Sequence, residues 1–261
     1  MLSALVLIAA VSAAPAPAAN CCPVVELRQY TLLPERRDPF IRMFEREFIE
    51  TQEDVGMRVI GQYRDLDDPN HFVWLRGFPD MPQRAQSLQA FYGGPVWKAQ
   101  RDAANANFTD TDNVLLLQAV KTSSQFALDG RHRAPPGADT DPRGVLIATI
   151  YSFDAQPDAE FVAFFEKQIA PALRANGTRV AGYFVSETEA NSFPRLPVRE
   201  KDHVFVWFAL YPDLADYERR RASLDGSRHW REAIAPELRH RLLAPPQVLR
   251  LTPTPRALLH G

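Results

Sequence analysis

FVWLRGFPD occupies residues 72–80 and FVWFALYPD occupies residues 205–213. The two stretches lie 133 positions apart, and the same spacing carries Trp97 onto Trp230 and Gly93 onto Gly226. Upstream, FIRMFEREF (40–48) aligns with FVAFFEKQI (161–169), and GMRVIG (56–61) with GTRVAG (177–182), both at a spacing of 121. The change of 12 places an insertion between Phe184 and Phe205, where the second copy reads SETEANSFPRLPVREKD. The chain therefore reads as an internal duplication with one enlarged hairpin loop.

Each copy can be parsed by period. VVELRQYTL alternates as a strand, Asp38-Pro39 supplies a helix start, and Phe40, Phe44 and Phe48 recur at helical spacing until Gly56. MRVIGQY and HFVWLRGF read as two strands joined by the turn-rich DLDDPN; MPQRAQSLQAF starts a second helix and VLLLQAV closes the copy. That order, βαββαβ, is the ferredoxin-like unit. The expected organisation is a leader over 1–19, a first repeat over 23–120, a Pro/Gly/Asp-rich linker over 121–144 and a second repeat over 145–254.

Period two sorts the strand residues into faces. One face carries Val25, Leu27, Val59, Gly61, Val73 and Leu75 and is expected to receive the helices. The other carries Tyr30, Arg58, Phe72 and Trp74, matched by Tyr151, Arg179, Phe205 and Trp207. A sheet with helices on one side would leave those rings in water, an apolar patch that monomers avoid. The fold class expected is α+β: two ferredoxin-like repeats turning their aromatic faces together as an intramolecular pseudo-two-fold α+β barrel.

ELRQYTL, the G-x-R-V-x-G turn, the FVWL strand and the tryptophan of YGGPVWKAQ resemble the NIPSNAP family from Val24 to Pro253, more clearly in the first copy. The resemblance implies a relationship to the dimeric α+β barrels, a superfamily that includes cofactor-free monooxygenases, haem-handling proteins and small isomerases. Eukaryotic members resemble mitochondrial and vesicle-associated interaction proteins. The family supplies no agreed catalytic residue to transfer.

The two copies differ on the aromatic face. Glu26 matches Ile147, Arg28 matches Thr149, Gln62 matches Tyr183 and Arg76 matches Ala209, so copy one is polar where copy two is apolar. The first and third strands are expected to be neighbours, setting Glu26 beside Arg76 and Tyr30 beside Phe72. A buried unpaired charge is costly, so these groups must meet each other, water or a ligand. The expected site is a pocket inside the barrel. Arg28 and Arg76 would bind a carboxylate or enolate oxygen, Glu26 would orient them or act as the catalytic base, and Gln62, Tyr30, Trp74, Tyr151 and Trp207 would complete the wall. A structural Glu-Arg pair that fixes register is the competing account. Trp97 and Trp230 are expected to pack beneath the helix break.

Asp67, Asp68 and His71 sit in a turn where such residues serve the backbone, so no metal is expected, and no cofactor fingerprint occurs. Thirty basic against 32 acidic residues give no field to recruit nucleic acid. The run Leu2–Val11 before small residues reads as an export signal, cut after Ala13 or Ala18, and is too short for an integral membrane span. Cys21 and Cys22 are adjacent and are not expected to bridge; a lipid anchor at Cys21 is the minor alternative for localisation. The function expected is binding of a small aromatic or acidic metabolite, extending to cofactor-independent chemistry. The alternative is an interaction module whose partner-facing loop is 185–203, and a homodimer through an outer edge is left open.

Overall fold

A computed structural model describes residues 20–128 and 130–261; the expected leader lies outside the described residues. The first half runs β1 (Val24–Leu32), α1 (Arg37–Glu47) with α2 (Ile49–Glu53), β2 (Arg58–Asp65), β3 (His71–Phe78), α3 (Met81–Gly93) with α4 (Pro95–Asn105), and β4 (Val114–Ala119). The second half runs β5 (Val145–Phe153), α5 (Ala159–Phe164), a π-helical turn (Phe165–Ile169) into α6 (Ala170–Ala175), then β6 (Arg179–Ser186) and β7 (His203–Tyr211). It closes with α7 (Leu214–Gly226), a second π turn (Trp230–Ile234) into α8 (Ala235–Arg241), and β8 (Gln247–Pro253). Asp80, Asp158 and Asp213 cap α3, α5 and α7 by accepting from backbone N–H groups. Asp38 does not cap α1, which starts one residue earlier, at Arg37; its carboxylate pairs with Arg64 instead.

All barrel pairings are antiparallel, in the order β3-β2-β8-β5-β7-β6-β4-β1, closed by β1 on β3. The first half contributes the order β4-β1-β3-β2 and the second the equivalent order β8-β5-β7-β6, and the halves join edge to edge. β8 spans from β5 to β2, and β4 spans from β1 to β6. The expected register holds: Glu26 lies opposite Arg76, and Tyr30 opposite Phe72.

The faces are the reverse of the expectation. Val25, Leu27, Val73 and Leu75 line the barrel interior together with Leu146, Ala148, Val206 and Phe208 from the second half. The aromatic face of each half packs against its own helices: Phe44 lies 4.9 Å from Trp74 and Phe40 5.3 Å from Phe72, while Phe161 lies 5.3 Å from Phe205. An eight-stranded barrel is only wide enough for side chains to fill, which suits branched aliphatics; the wider sheet–helix gap takes the rings. The second FVW strand therefore does not cover the first; pairing between the two halves closes the sheet edges instead. A bulge between Val59 and Gly61 moves Val59 to the helix side and Ile60 inside. Gly61 lets the Tyr63 ring fold over its backbone, where a Cβ would stand 2.2 Å from the Tyr63 hydroxyl.

The linker and the C-terminal tail both contribute to the interior. Phe126 packs 5.0 Å from Phe184 and 5.1 Å from Phe208, and Ala257 and Leu259 are buried in the same core. Cys21 and Cys22 are joined to each other, against expectation. Because the bridge links neighbours in sequence, it ties no distant elements, and Cys22 sits against Gly77.

Candidate functional site between sheet and helices

Glu26, Arg28, Arg76 and Arg84 are completely buried between the first half's sheet and its helices. Alternation on β1 and β3 turns Glu26, Arg28 and Arg76 to the helix side, and α3 brings Arg84 over them. Glu26 Oε2 accepts from Arg28 Nη1 and Arg76 Nε, each at 2.7 Å, and its Oε1 lies 2.7 Å from both Nε and Nη2 of Arg84. Burial alone would push the Glu26 pKa up, but the Arg76, Arg28 and Arg84 charges outweigh it and hold the carboxyl far below the usual range. One carboxylate thus faces three guanidiniums, leaving an excess of two positive charges with no other carboxylate in salt-bridge contact with these arginines among the described residues.

Further bonds tie the cluster outward. Arg28 Nε donates to the Tyr30 hydroxyl at 2.7 Å, and Arg76 Nη1 donates to Gln52 Oε1 at 3.0 Å. Arg28 and Arg76 lie 5.6 and 5.0 Å from the Trp74 ring, within cation–π range. Among the described residues of this cluster, the buried donors Arg28 Nη2, Arg76 Nη2, Gln62 Nε2 and Trp74 Nε1 have no hydrogen-bond partner, and Arg84 Nη2 meets Glu26 only as an ion pair. Arg28, Trp74 and Gln62 stand directly opposite one another across β1, β3 and β2, so these unmet N–H groups form a row on one face.

In front of this floor is a cavity of about 110 Å³, bounded by Phe44, Phe48, Phe91, Trp97 and Leu196, with Tyr30, Trp74 and Gln52 as the residues shared with the cluster. Tyr30 accepts from Arg28, so its own proton is free to donate. Burial raises its pKa, with Arg28 opposing, and the group is a neutral O–H donor. Gln62 and the three arginines stand behind the wall rather than in it.

The insertion of the second half closes over the first. Arg84 Nη1 donates to Asn191 Oδ1 at 3.0 Å and Ser192 Oγ at 3.1 Å, Phe193 stacks on Tyr92 at 5.8 Å, and Leu196 lines the cavity. Glu187 N and Arg199 N donate to the Leu116 and Val114 carbonyls of β4. The apolar residues of the expected partner-facing loop are therefore turned inward, because Phe193 and Leu196 find an aromatic surface on α3.

Tyr151 and Trp207 are not part of this site. They border a second cavity, of about 130 Å³, between the second sheet and its helices, so the expected single pocket inside the barrel is replaced by one sheet–helix cavity in each half. Trp97 and Trp230, expected as packing residues, each border one of the two. Sequence comparison confined to strands missed Gln52 and Arg84. The same spacings would have found them, because they match Leu173 and Tyr217 and repeat the polar-to-apolar exchange. Asp67 pairs with Arg250, and His71 Nδ1 with Asp65 Oδ2 at 2.8 Å, so the turn's acidic groups serve the fold. Among the described residues no group of three or more His, Cys, Asp or Glu is arranged to hold a metal ion.

Residues 25–124, which hold the whole ionic floor, match the NIPSNAP family model. The chain carries a NIPSNAP domain. The match covers the first half, from the second residue of β1 through β4, and the domain's sheet is completed into a barrel by the second half of the same chain. Similar solved structures span nearly everything. A candidate monooxygenase of Fusobacterium nucleatum subsp. nucleatum ATCC 25586 aligns with TM-score 0.53 and 9% identity, covering 91% of this chain and 95% of that one. A candidate monooxygenase of Lactobacillus acidophilus NCFM gives 0.52 and 12%, covering 91% and 99%. An anthrone oxidase-like protein gives 0.53 and 14%, covering 88% and 91%. At these identities the likeness is one of fold: the NIPSNAP domain and its partner half form an α+β barrel within one chain. No curated protein matches.

Proposed function

We propose that the first half is a receptor for a small, single-ring acid, whose ring lies among Phe44, Trp74 and Trp97 and whose oxyanion meets Tyr30. The observation that carries this reading is the mismatch between the cavity and its floor. The free polar groups at their junction, the Tyr30 O–H and the Trp74 indole N–H, are donors, and behind them stand two unbalanced positive charges. A buried charge without a counter-charge is expensive, and an anion supplies both the missing charge and the missing acceptors. The volume matches a single ring, since a dry cavity of about 150 Å³ accepts benzene.

Glu26 acts in this reading as the counter-ion that holds three arginines in place. Both its oxygens are occupied and its carboxyl is held ionised, so it is a poor proton acceptor. The leader-like residues 1–19 direct export, and a mature N-terminus following Ala13 or Ala18 would record it.

Isothermal titration of the full chain with benzoate tests the reading. One benzoate should bind per chain, and the uncharged isostere benzamide should bind at least about tenfold more weakly, because a hydrogen bond to a charged group is worth about 1.5–3 kcal/mol. Tyr30→Phe should cost a similar factor. Equal affinity for benzoate and benzamide, or indifference to Tyr30→Phe, would contradict it.

A further inference from the structure

We propose that the second half carries a binding site of its own, in the cavity bounded by Thr149, Tyr151, Trp207, Tyr217, Trp230 and Leu238, for a neutral single-ring molecule bearing one hydroxyl or carbonyl oxygen. This cavity of about 130 Å³ occupies the same place between sheet and helices as the first, and its size also matches one ring.

Its chemistry differs at every position that carries the first site's floor. Where the first half has Glu26, Arg28, Gln52, Arg76 and Arg84, the second has Ile147, Thr149, Leu173, Ala209 and Tyr217. No buried charge is left to attract an anion. The arginines at the cavity's border are already engaged: Arg220 Nε donates to Asp216 Oδ2 at 2.6 Å, and Arg221 Nη1 donates to the Tyr217 hydroxyl at 3.0 Å with Asp225 at 3.7 Å. An acid would meet no unbalanced cation there, and an apolar ring with a single polar atom would lose little on entering.

Polar atoms suited to that single oxygen are present. Thr149 is buried at the cavity's border, and the buried Trp207 indole N–H has only the Tyr151 hydroxyl near it, without a hydrogen bond of ordinary geometry. Burial pushes the Tyr151 pKa up to about 12, with Trp207 opposing the rise, so the phenol keeps its proton and donates. Buried polar atoms left unmet are rare in native proteins and each calls for an explanation.

The helices around this cavity supply an independent sign. Both π-helical turns, Phe165–Ile169 and Trp230–Ile234, belong to this half, and they bring Phe165 to 6.3 Å from Trp207 and place Trp230 in the wall. The corresponding segments of the first half lie within α1 and α4, apart from the junction at Phe48. A π turn is a rare irregularity that recurs at functional sites. The second half thus departs from regular helix at Trp230, in the wall of its cavity, and at Phe165, which packs beside the wall residue Trp207.

Calorimetric titration of the full chain with phenol, alone and in the presence of saturating benzoate, tests the assignment. Phenol should bind once per chain with the same affinity whether or not benzoate is present, and Tyr151→Phe and Thr149→Val should each weaken it by about threefold to tenfold, the range expected for a neutral hydrogen bond. Tyr30→Phe should leave phenol binding unchanged. Both substitutions are close in shape to the native residue, and two separate variants protect the test against a folding defect in one. Competition between phenol and benzoate, or phenol affinity that depends on Tyr30 and not on Tyr151 and Thr149, would overturn the second site while leaving the first intact. Phenol binding that depends on Tyr151, with no benzoate binding, would support the second site and remove the reading of the first.

Discussion

The two halves build the same four-stranded sheet with the same band of rings against their helices, yet one floors its cavity with four ions and the other with none. The second half shows that the fold does not need the ions. Ile147, Thr149, Ala209 and Tyr217 fill the equivalent place and the barrel closes all the same. Replacing a buried ion cluster by packed apolar groups is often neutral or stabilising. A cluster that keeps two surplus positive charges and several unmet donors is thus poorly explained by stability, and well explained by a ligand. The contrast assigns barrel closure to features shared by the halves and binding selectivity to features that differ.

The contrast can be broken most severely at Glu26. Glu26→Gln leaves three buried guanidiniums without a counter-charge and should cost about 3–5 kcal/mol, whereas Ile147→Val at the matching position should cost only about 0.5–1.5 kcal/mol. The Glu26 pKa is lower in the folded than in the unfolded chain, where it is near 4.5. Its contribution is therefore fully present above the unfolded value and is lost as pH falls toward the folded one. Denaturant midpoints taken from pH 7 down to pH 3 should show the gap between the native chain and Glu26→Gln narrowing below about pH 4.5. A gap independent of pH would mean that the cluster is not held by this carboxylate.

A smaller effect should separate the halves kinetically. Phe193→Ala removes the ring stacked on Tyr92, an aromatic pair worth about 0.5–1.5 kcal/mol. Stopped-flow measurements should show benzoate leaving several times faster, with phenol release unchanged. Equal acceleration of both ligands would mean that the insertion does not serve the first cavity in particular.

Much of this could be read from sequence, up to a definite point. Period two and the repeated FVW stretch lead to two βαββαβ units and a closed barrel, and strand order alone sets Glu26 against Arg76. Alternation cannot say which face of a doubly covered strand is inside, because both faces are then apolar. The deciding signal is size. Val25, Leu27, Val73 and Leu75 suit a narrow barrel, while Phe72 and Trp74 match Phe40 and Phe44 at helical spacing on α1. The insertion's docking was illegible for a different reason: Arg84 and Asn191 meet across 107 residues, and neither lies in a periodic segment that faces the other.

The central claim is that the first half's cavity takes an anion because its floor is cationic, and the second half's cavity does not. A crystal structure of the full chain soaked with para-bromobenzoate, with the bromine located by anomalous scattering, tests it directly. One bromine between α1 and β3, with the carboxylate within hydrogen-bond distance of Tyr30, is the predicted result. Bromine inside the barrel, or equally in both sheet–helix cavities, would contradict it.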